Sequence, residues 1–186
     1  MTPRRLSAPA LVLVSVLAGC GAAHAPGAKT ALGSAASTAA EGGEATIVRV
    51  VDGDTIVARL QGRDERVRLI GIDTPETVKP DTPIACFGKE ASDHAKSLMP
   101  AGTAIRLVRD AELRDRYNRL LAYVYRSGDG LFVNLALVED GFAVTDTFPP
   151  NVAHVDEFVA AARDARQAGK GLWSRCGDAI PHHDPG

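Results

Sequence analysis

The chain is 186 residues long and carries 21 Lys and Arg against 23 Asp and Glu, a formal net charge of −2. From Thr46 onward the balance is 18 against 21, a net of −3. This excludes the broad positive field of a processive nucleic-acid binder and leaves contact with any polyanion to local arginines.

The N-terminal residues read as an export signal over 1–19. Arg4 and Arg5 precede an apolar run, Leu11 to Leu17, that is too short to span a bilayer. Leu17-Ala18-Gly19-Cys20 has the form of a bacterial lipobox, in which the peptide is cut before the cysteine and Cys20 is acylated. The alternative is a non-lipidated signal cut after Ala23 or Ala25. The expectation is an exported protein, held at the extracytoplasmic face of a membrane by lipid on Cys20, or secreted if it is not lipidated. Residues 20–45 are nearly all Ala, Gly, Ser and Thr, with no aromatic residue to nucleate a core, and are predicted to be a flexible tether. That leaves 46–176 as one domain of ordinary length with no internal repeat, and 177–186 as a disordered tail.

Within the domain, residues 46–51 and 55–60 are β-branched runs separated by Asp52-Gly53-Asp54, which predicts two strands and a tight turn. A second turn at 61–65 leads into a strand over 66–72, so the chain opens as a three-stranded meander. Ala91, Ala95 and Leu98 recur at helical spacing before Pro100, predicting a helix over 88–99. Strands follow at 104–109 and 120–126. A short helix over 132–140 ends at Gly141. A third helix starts near Asn151, carries Val155, Phe158, Val159 and Ala162 on one face, and stops at Gly169. Five strands with interleaved helices suggest an α+β domain, a five-stranded OB-type barrel with three packed helices.

Cysteine usage fits export. With Cys20 assigned to lipid, Cys86 and Cys176 remain and allow one intramolecular pairing, a disulfide closing a loop of 90 residues. Two free buried thiols are the alternative. A metal site is disfavoured because neither cysteine has a Cys or His partner at ligand spacing.

Three stretches carry groups suited to phosphate chemistry. In Arg68-Leu69-Ile70-Gly71-Ile72-Asp73-Thr74-Pro75-Glu76, a guanidinium able to fork onto phosphate oxygens precedes two carboxylates and a hydroxyl. Asp52-Gly53-Asp54-Thr55 is a hairpin signal in its own right. It is not an EF-hand, because Ile56, Val57 and Arg63 stand where that loop needs two oxygen ligands and a glycine. If the meander brings strand ends together, Asp54 and Asp73, with a backbone carbonyl and waters, suit a hard cation such as Ca²⁺, which takes about six to eight oxygens. The third stretch, Arg114-Asp115-Arg116-Tyr117-Asn118-Arg119, is either a solvated loop or a platform for a base and its phosphate.

Taken in order, Val51 to Thr55, Arg68 to Glu76, Gly88-Lys89-Glu90-Ala91-Ser92, Asp115 to Arg119, Val133-Asn134 and Gly171-Leu172-Trp173 resemble the thermonuclease family, typified by staphylococcal nuclease. The resemblance implies Asp54 and Asp73 as Ca²⁺ side-chain ligands, with the backbone carbonyl of Thr74. It implies Glu76 as the carboxylate that positions or deprotonates the attacking water, and Arg68 and Arg119 as the arginines that grip the scissile phosphate. Arg116 and Tyr117 correspond to nucleotide contacts, while Trp173 reads as core. The activity implied is Ca²⁺-dependent hydrolysis of DNA and RNA by a monomer, with little sequence preference, leaving 3′-phosphates. The rival is a non-catalytic OB-type module that binds nucleic acid or another polyanion; it has no use for Arg68, Glu76 and Arg119 together. Two departures stand out. Val144-Thr145-Asp146-Thr147-Phe148 replaces the family's base-seating tyrosines, and Asn118 replaces a turn glycine, a substitution that Asn tolerates by adopting positive φ.

Overall fold

The computed structural model describes residues 41–75, 77 and 85–177. The predicted export signal, Cys20, most of the tether, Glu76 and the tail beyond Gly177 lie outside the described residues.

Among the described residues, five strands close into a barrel in the order β1-β2-β3-β6-β5. These are β1 (Glu41–Val50), β2 (Thr55–Leu60), β3 (Arg63–Leu69), β5 (Ala104–Val108) and β6 (Leu120–Arg126). A two-stranded sheet pairs β4 (Gly71–Asp73) with β7 (Val144–Asp146). Helices α1 (Gly88–Leu98), α2 (Val133–Glu139) and α3 (Val155–Gln167) are joined by a single turn, α4 (Leu172–Arg175). The OB-type α+β fold and its three packed helices are as the sequence predicts. Ile47, Ile56, Val67, Leu69, Ile105, Leu107 and Val124 fill the barrel, and Met99, Leu137 and Phe158 from the helical side join the same core.

The tether boundary needs correcting, because β1 takes in Glu41 to Ala45. Ala45 pairs with both Leu60 and Ile105 and is only 6% exposed. A Cβ on Gly42 would meet the carbonyl oxygen of Leu107 at 2.7 Å. The small residues that look like a linker are therefore small because two strands approach closely there.

The strand expected over 66–72 is also broken in two. Gly71 has φ +81°, and a Cβ there would fall 2.3 Å from the Phe158 ring, so only glycine lets the chain turn against α3. The break is held by Asn134 of α2, fully buried: its Oδ1 accepts from Val124 N–H and its Nδ2 donates to Ile70 O, each at 2.9 Å. An unpaired amide there would carry its full desolvation cost, so this residue fixes where β3 stops and β4 starts.

β3 and β6 run parallel, with Val67 opposite Leu120 and Arg68 opposite Leu121. Every other barrel pair is antiparallel. Cys86, just before α1, is bonded to Cys176, just after α4, with Cα atoms 5.8 Å apart. Closing a 90-residue loop restricts the unfolded chain by up to about 4–5 kcal/mol. The double variant Cys86→Ala/Cys176→Ala should therefore melt about 5–15 °C below the wild type in differential scanning calorimetry. An unchanged Tm would mean that this loop is already constrained in the unfolded state.

Candidate active site

The β1–β2 turn is pressed onto the chain just beyond β4. A Cβ on Gly53 would meet the Thr74 side chain at 2.6 to 2.7 Å, so glycine allows the hairpin to reach Thr74. Leu69 N–H donates to Asp54 O at 2.8 Å, tying the turn to the end of β3. Asp54 is then buried, and its Oδ2 accepts from Thr74 N–H at 2.9 Å and from Thr74 Oγ1 at 3.0 Å. Its Oδ1 accepts from the Thr55 hydroxyl at 3.1 Å.

Arg68 joins the two carboxylates expected to share a cation. Its Nη1 lies 2.6 Å from Asp54 Oδ2 and its Nη2 3.0 Å from Asp73 Oδ1. A third carboxylate, Asp146 of β7, has Oδ2 at 3.8 Å from the same Nη2. The Arg68 side chain is only 14% exposed. Burial alone would lower its pKa, but the charges of Asp54, Asp73, Asp146 and Asp52 outweigh this and raise it above the usual value. Asp52 feels the opposite sign. Burial first, and then the neighbouring Asp54 charge, push its carboxyl up to about 6.

Arg119 is held by a separate device. Asp115 Oδ2 accepts from Arg119 Nε at 2.7 Å, while its Oδ1 accepts from the backbone N–H groups of Tyr117 and Arg119, each at 2.9 Å. Burial of Asp115 raises its pKa, and these donors together with the Arg119 charge more than reverse the effect, leaving it below the usual value. Asn118 has φ 62° and closes the turn, in the conformation expected from its side chain. Arg114 braces the loop by donating to Glu65 Oε2 at 3.0 Å and to Asn118 O at 2.9 Å. Tyr117 is 65% exposed, with the guanidinium of Arg116 4.9 Å and that of Arg119 5.5 Å from its ring centroid.

Two cavities meet at the arginines. The smaller, about 170 Å³, is lined by Asp52, Asp54, Thr55, Asp73, Thr74 and Pro75. The larger, about 670 Å³, has Arg116, Tyr117, Asp146 and Phe148 on its walls. Arg68 and Arg119 line both. Arg119 Nη1 reaches Thr55 Oγ1 at 3.5 Å, bridging the loop to the hairpin. The structure thus gathers Asp54, Asp73, Thr74, Arg68, Arg119, Arg116 and Tyr117 around one junction. Trp173 lines neither cavity, but it is half-buried under the Arg166 guanidinium and stands outside the core cluster, so its reading as core is not met. Glu76 lies outside the described residues.

The smaller cavity fits a hard cation. Its ligand groups are all oxygen, the carboxylates of Asp52, Asp54 and Asp73 and the hydroxyls of Thr55 and Thr74, which favours Ca²⁺ or Mg²⁺ over thiophilic metals. The Arg68 guanidinium between Asp54 and Asp73 shows that positive charge is stabilised there. Among the described residues no three acidic, His or Cys side chains form a ready-made metal cage, so a cation bound there would need backbone oxygen and water to complete its shell.

Three contributors escaped the sequence reading: Asp52, Asp146 and Asp115. Asp115 carried a usable signal, since a carboxylate four residues before an arginine in a tight turn is well placed to orient it. Asp146 carried none, being part of a three-residue strand.

A model described as "Staphylococcal nuclease homologue" matches residues 66–175. The thermonuclease of Staphylococcus intermedius is 42% identical over 139 residues, covering 75% of this chain and 81% of that protein. The thermonuclease of Staphylococcus hyicus is 41% identical over 128 residues, covering 69% and 74%. Endonuclease YncB of Bacillus subtilis (strain 168) is 36% identical over 133 residues, covering 71% and 62%. The family match takes in more than half of the chain, and the chain covers more than two thirds of both thermonucleases, so it belongs to the staphylococcal nuclease family.

The raised Asp52 gives a pH test. The folded protein keeps this proton up to about pH 6, whereas in the unfolded chain the group titrates near the ordinary aspartate value of 3.8. Between those limits the folded state binds more protons, so stability falls as pH rises through the window and is flat in this respect above it. In chelator-treated protein, urea unfolding from pH 4 to 7 should show this decline, and Asp52→Asn should remove it. Identical slopes in the two proteins would show that Asp52 is ionised in the fold.

Proposed function

We propose that this nuclease hydrolyses phosphodiester bonds of DNA and RNA in a Ca²⁺-dependent reaction with little sequence preference, leaving 3′-phosphates. The observation that carries the reading is the pair Arg68 and Arg119 at the junction of an acidic cavity and an arginine- and aromatic-lined cleft. Asp54 and Asp73, with the Thr74 carbonyl, would hold the cation, which supplies positive charge against the phosphate oxygens. The two guanidinium groups fork onto those oxygens as negative charge builds on them. Asp115 holds Arg119 by Nε, leaving its terminal nitrogens directed to the substrate. Tyr117 offers a stacking face beside Arg116. Water attacks phosphorus as Glu76 takes or orients its proton, the bond to the 5′-oxygen breaks, and that oxygen takes up a proton from solvent to leave as a 5′-hydroxyl, so phosphate remains on the 3′ side.

Export and a lipid anchor at Cys20 belong to the same proposal, as does a monomeric state. The disulfide between Cys86 and Cys176 supports an oxidising compartment. A non-catalytic polyanion binder would gain nothing from an acidic cavity beside its arginines.

Two measurements test the reading. Asp54→Ala should weaken Ca²⁺ binding by at least about tenfold in calorimetric titration, since it removes one of two charged ligands; unchanged affinity places the cation elsewhere. Arg119→Lys keeps the charge but loses the planar fork. It should lower kcat on a short oligonucleotide by about 10²–10⁴ while a non-hydrolysable nucleotide binds nearly as well. Near-normal turnover in the folded variant would reduce Arg119 to a source of positive potential.

A further inference from the structure

We propose that Asp146 is a positioning residue that receives the Arg68 guanidinium when a divalent cation takes the Asp54 and Asp73 carboxylates, drawing this arginine out of the acidic cavity toward the aromatic cleft. The inference rests on the Ca²⁺-dependent reading above. Arg68 Nη1 and Nη2 contact the two carboxylates assigned to the cation, at 2.6 and 3.0 Å. A cation on those carboxylates would meet the guanidinium charge at close range, so the two repel and compete, and binding one favours release of the other.

The released group has a carboxylate waiting. Asp146 Oδ2 stands 3.8 Å from the same Nη2, outside hydrogen-bonding distance, and its side chain is 22% exposed. It is carried on a fixed element, since β7 pairs with β4 and sets Asp146 opposite Gly71. The cavity linings separate the two ends of the exchange. Asp54 and Asp73 line the small cavity and not the large one, whereas Asp146 lines the large cavity and not the small one. Arg68 lines both, so a rotation of its guanidinium exchanges partners without moving the backbone. A carboxylate in a cleft meant for phosphate would repel the substrate if left bare; paired with Arg68, it fixes that arginine where the phosphate arrives.

The alternative is that Asp146 acts on the cation only through space, as one more negative charge. A double-mutant cycle on Ca²⁺ affinity, measured by calorimetric titration of the full chain, separates the two. Arg68→Gln should bind Ca²⁺ more tightly, because the internal competitor is gone. Asp146→Asn should bind it more weakly by roughly 3–30-fold, a range typical of coupled neighbours, and should have little effect in the Arg68→Gln background. Asp146→Glu should recover most of the wild-type affinity. The Arg68 Nε–H resonance of the wild type should shift on Ca²⁺ addition and shift less in Asp146→Asn. Equal weakening in both backgrounds, unimproved affinity in Arg68→Gln, or an Arg68 resonance indifferent to Ca²⁺ would each overturn the exchange. A wild-type protein that takes up no Ca²⁺ would instead overturn the metal reading on which it rests.

Discussion

One carboxylate oxygen, Asp54 Oδ2, has three partners: Thr74 N–H, the Thr74 hydroxyl and the Arg68 guanidinium. It joins the β1–β2 turn, the exit of β4 and the Arg68 side chain on the face of β3 turned away from the barrel core, and so reinforces the contacts that Leu69 N–H and Gly53 already make there. A buried carboxylate is tolerated only with such a set of donors. The same oxygen is therefore a structural clamp and a proposed metal ligand. A cation arriving there inherits a geometry that the backbone donor from Thr74 already maintains.

The barrel supplies the rest of the arrangement. β3 and β6 are its parallel pair, and parallel pairing sets the beginning of β6 beside the end of β3, so Arg68 and the loop residue Arg119 approach the same junction from strands far apart in sequence. Each arginine is fastened by carboxylates before any substrate is present, Arg68 by Asp54 and Asp73 and Arg119 by Asp115. Asp115 holds Arg119 in advance, so little reorganisation of that arginine is left for the reaction itself.

Much of this was legible in the sequence because the signals were local. The Asp-Gly turn, the β-branched runs and the positive φ of Asn118 each depend on neighbours within a few residues. What the sequence hid depended on distant packing. Gly71 reads as the middle of a strand until Phe158, 87 residues later, is seen to press against it. Gly42 reads as linker until Leu107 is found where a side chain on it would have to stand. Asp146 gains its meaning only from β7 pairing with β4, a ladder too short to leave a periodic pattern.

The parallel β3–β6 ladder also decides when the enzyme comes into existence. Arg68 and Arg119 are 51 residues apart along the chain, and nothing short of barrel closure brings them to one phosphate. Contacts between segments so distant form late in folding, after the entropy of closing the intervening loop has been overcome. An unfinished chain therefore carries every reactive group and no catalyst. A protein destined to cut nucleic acids is harmless to whatever surrounds it until its last strands have met.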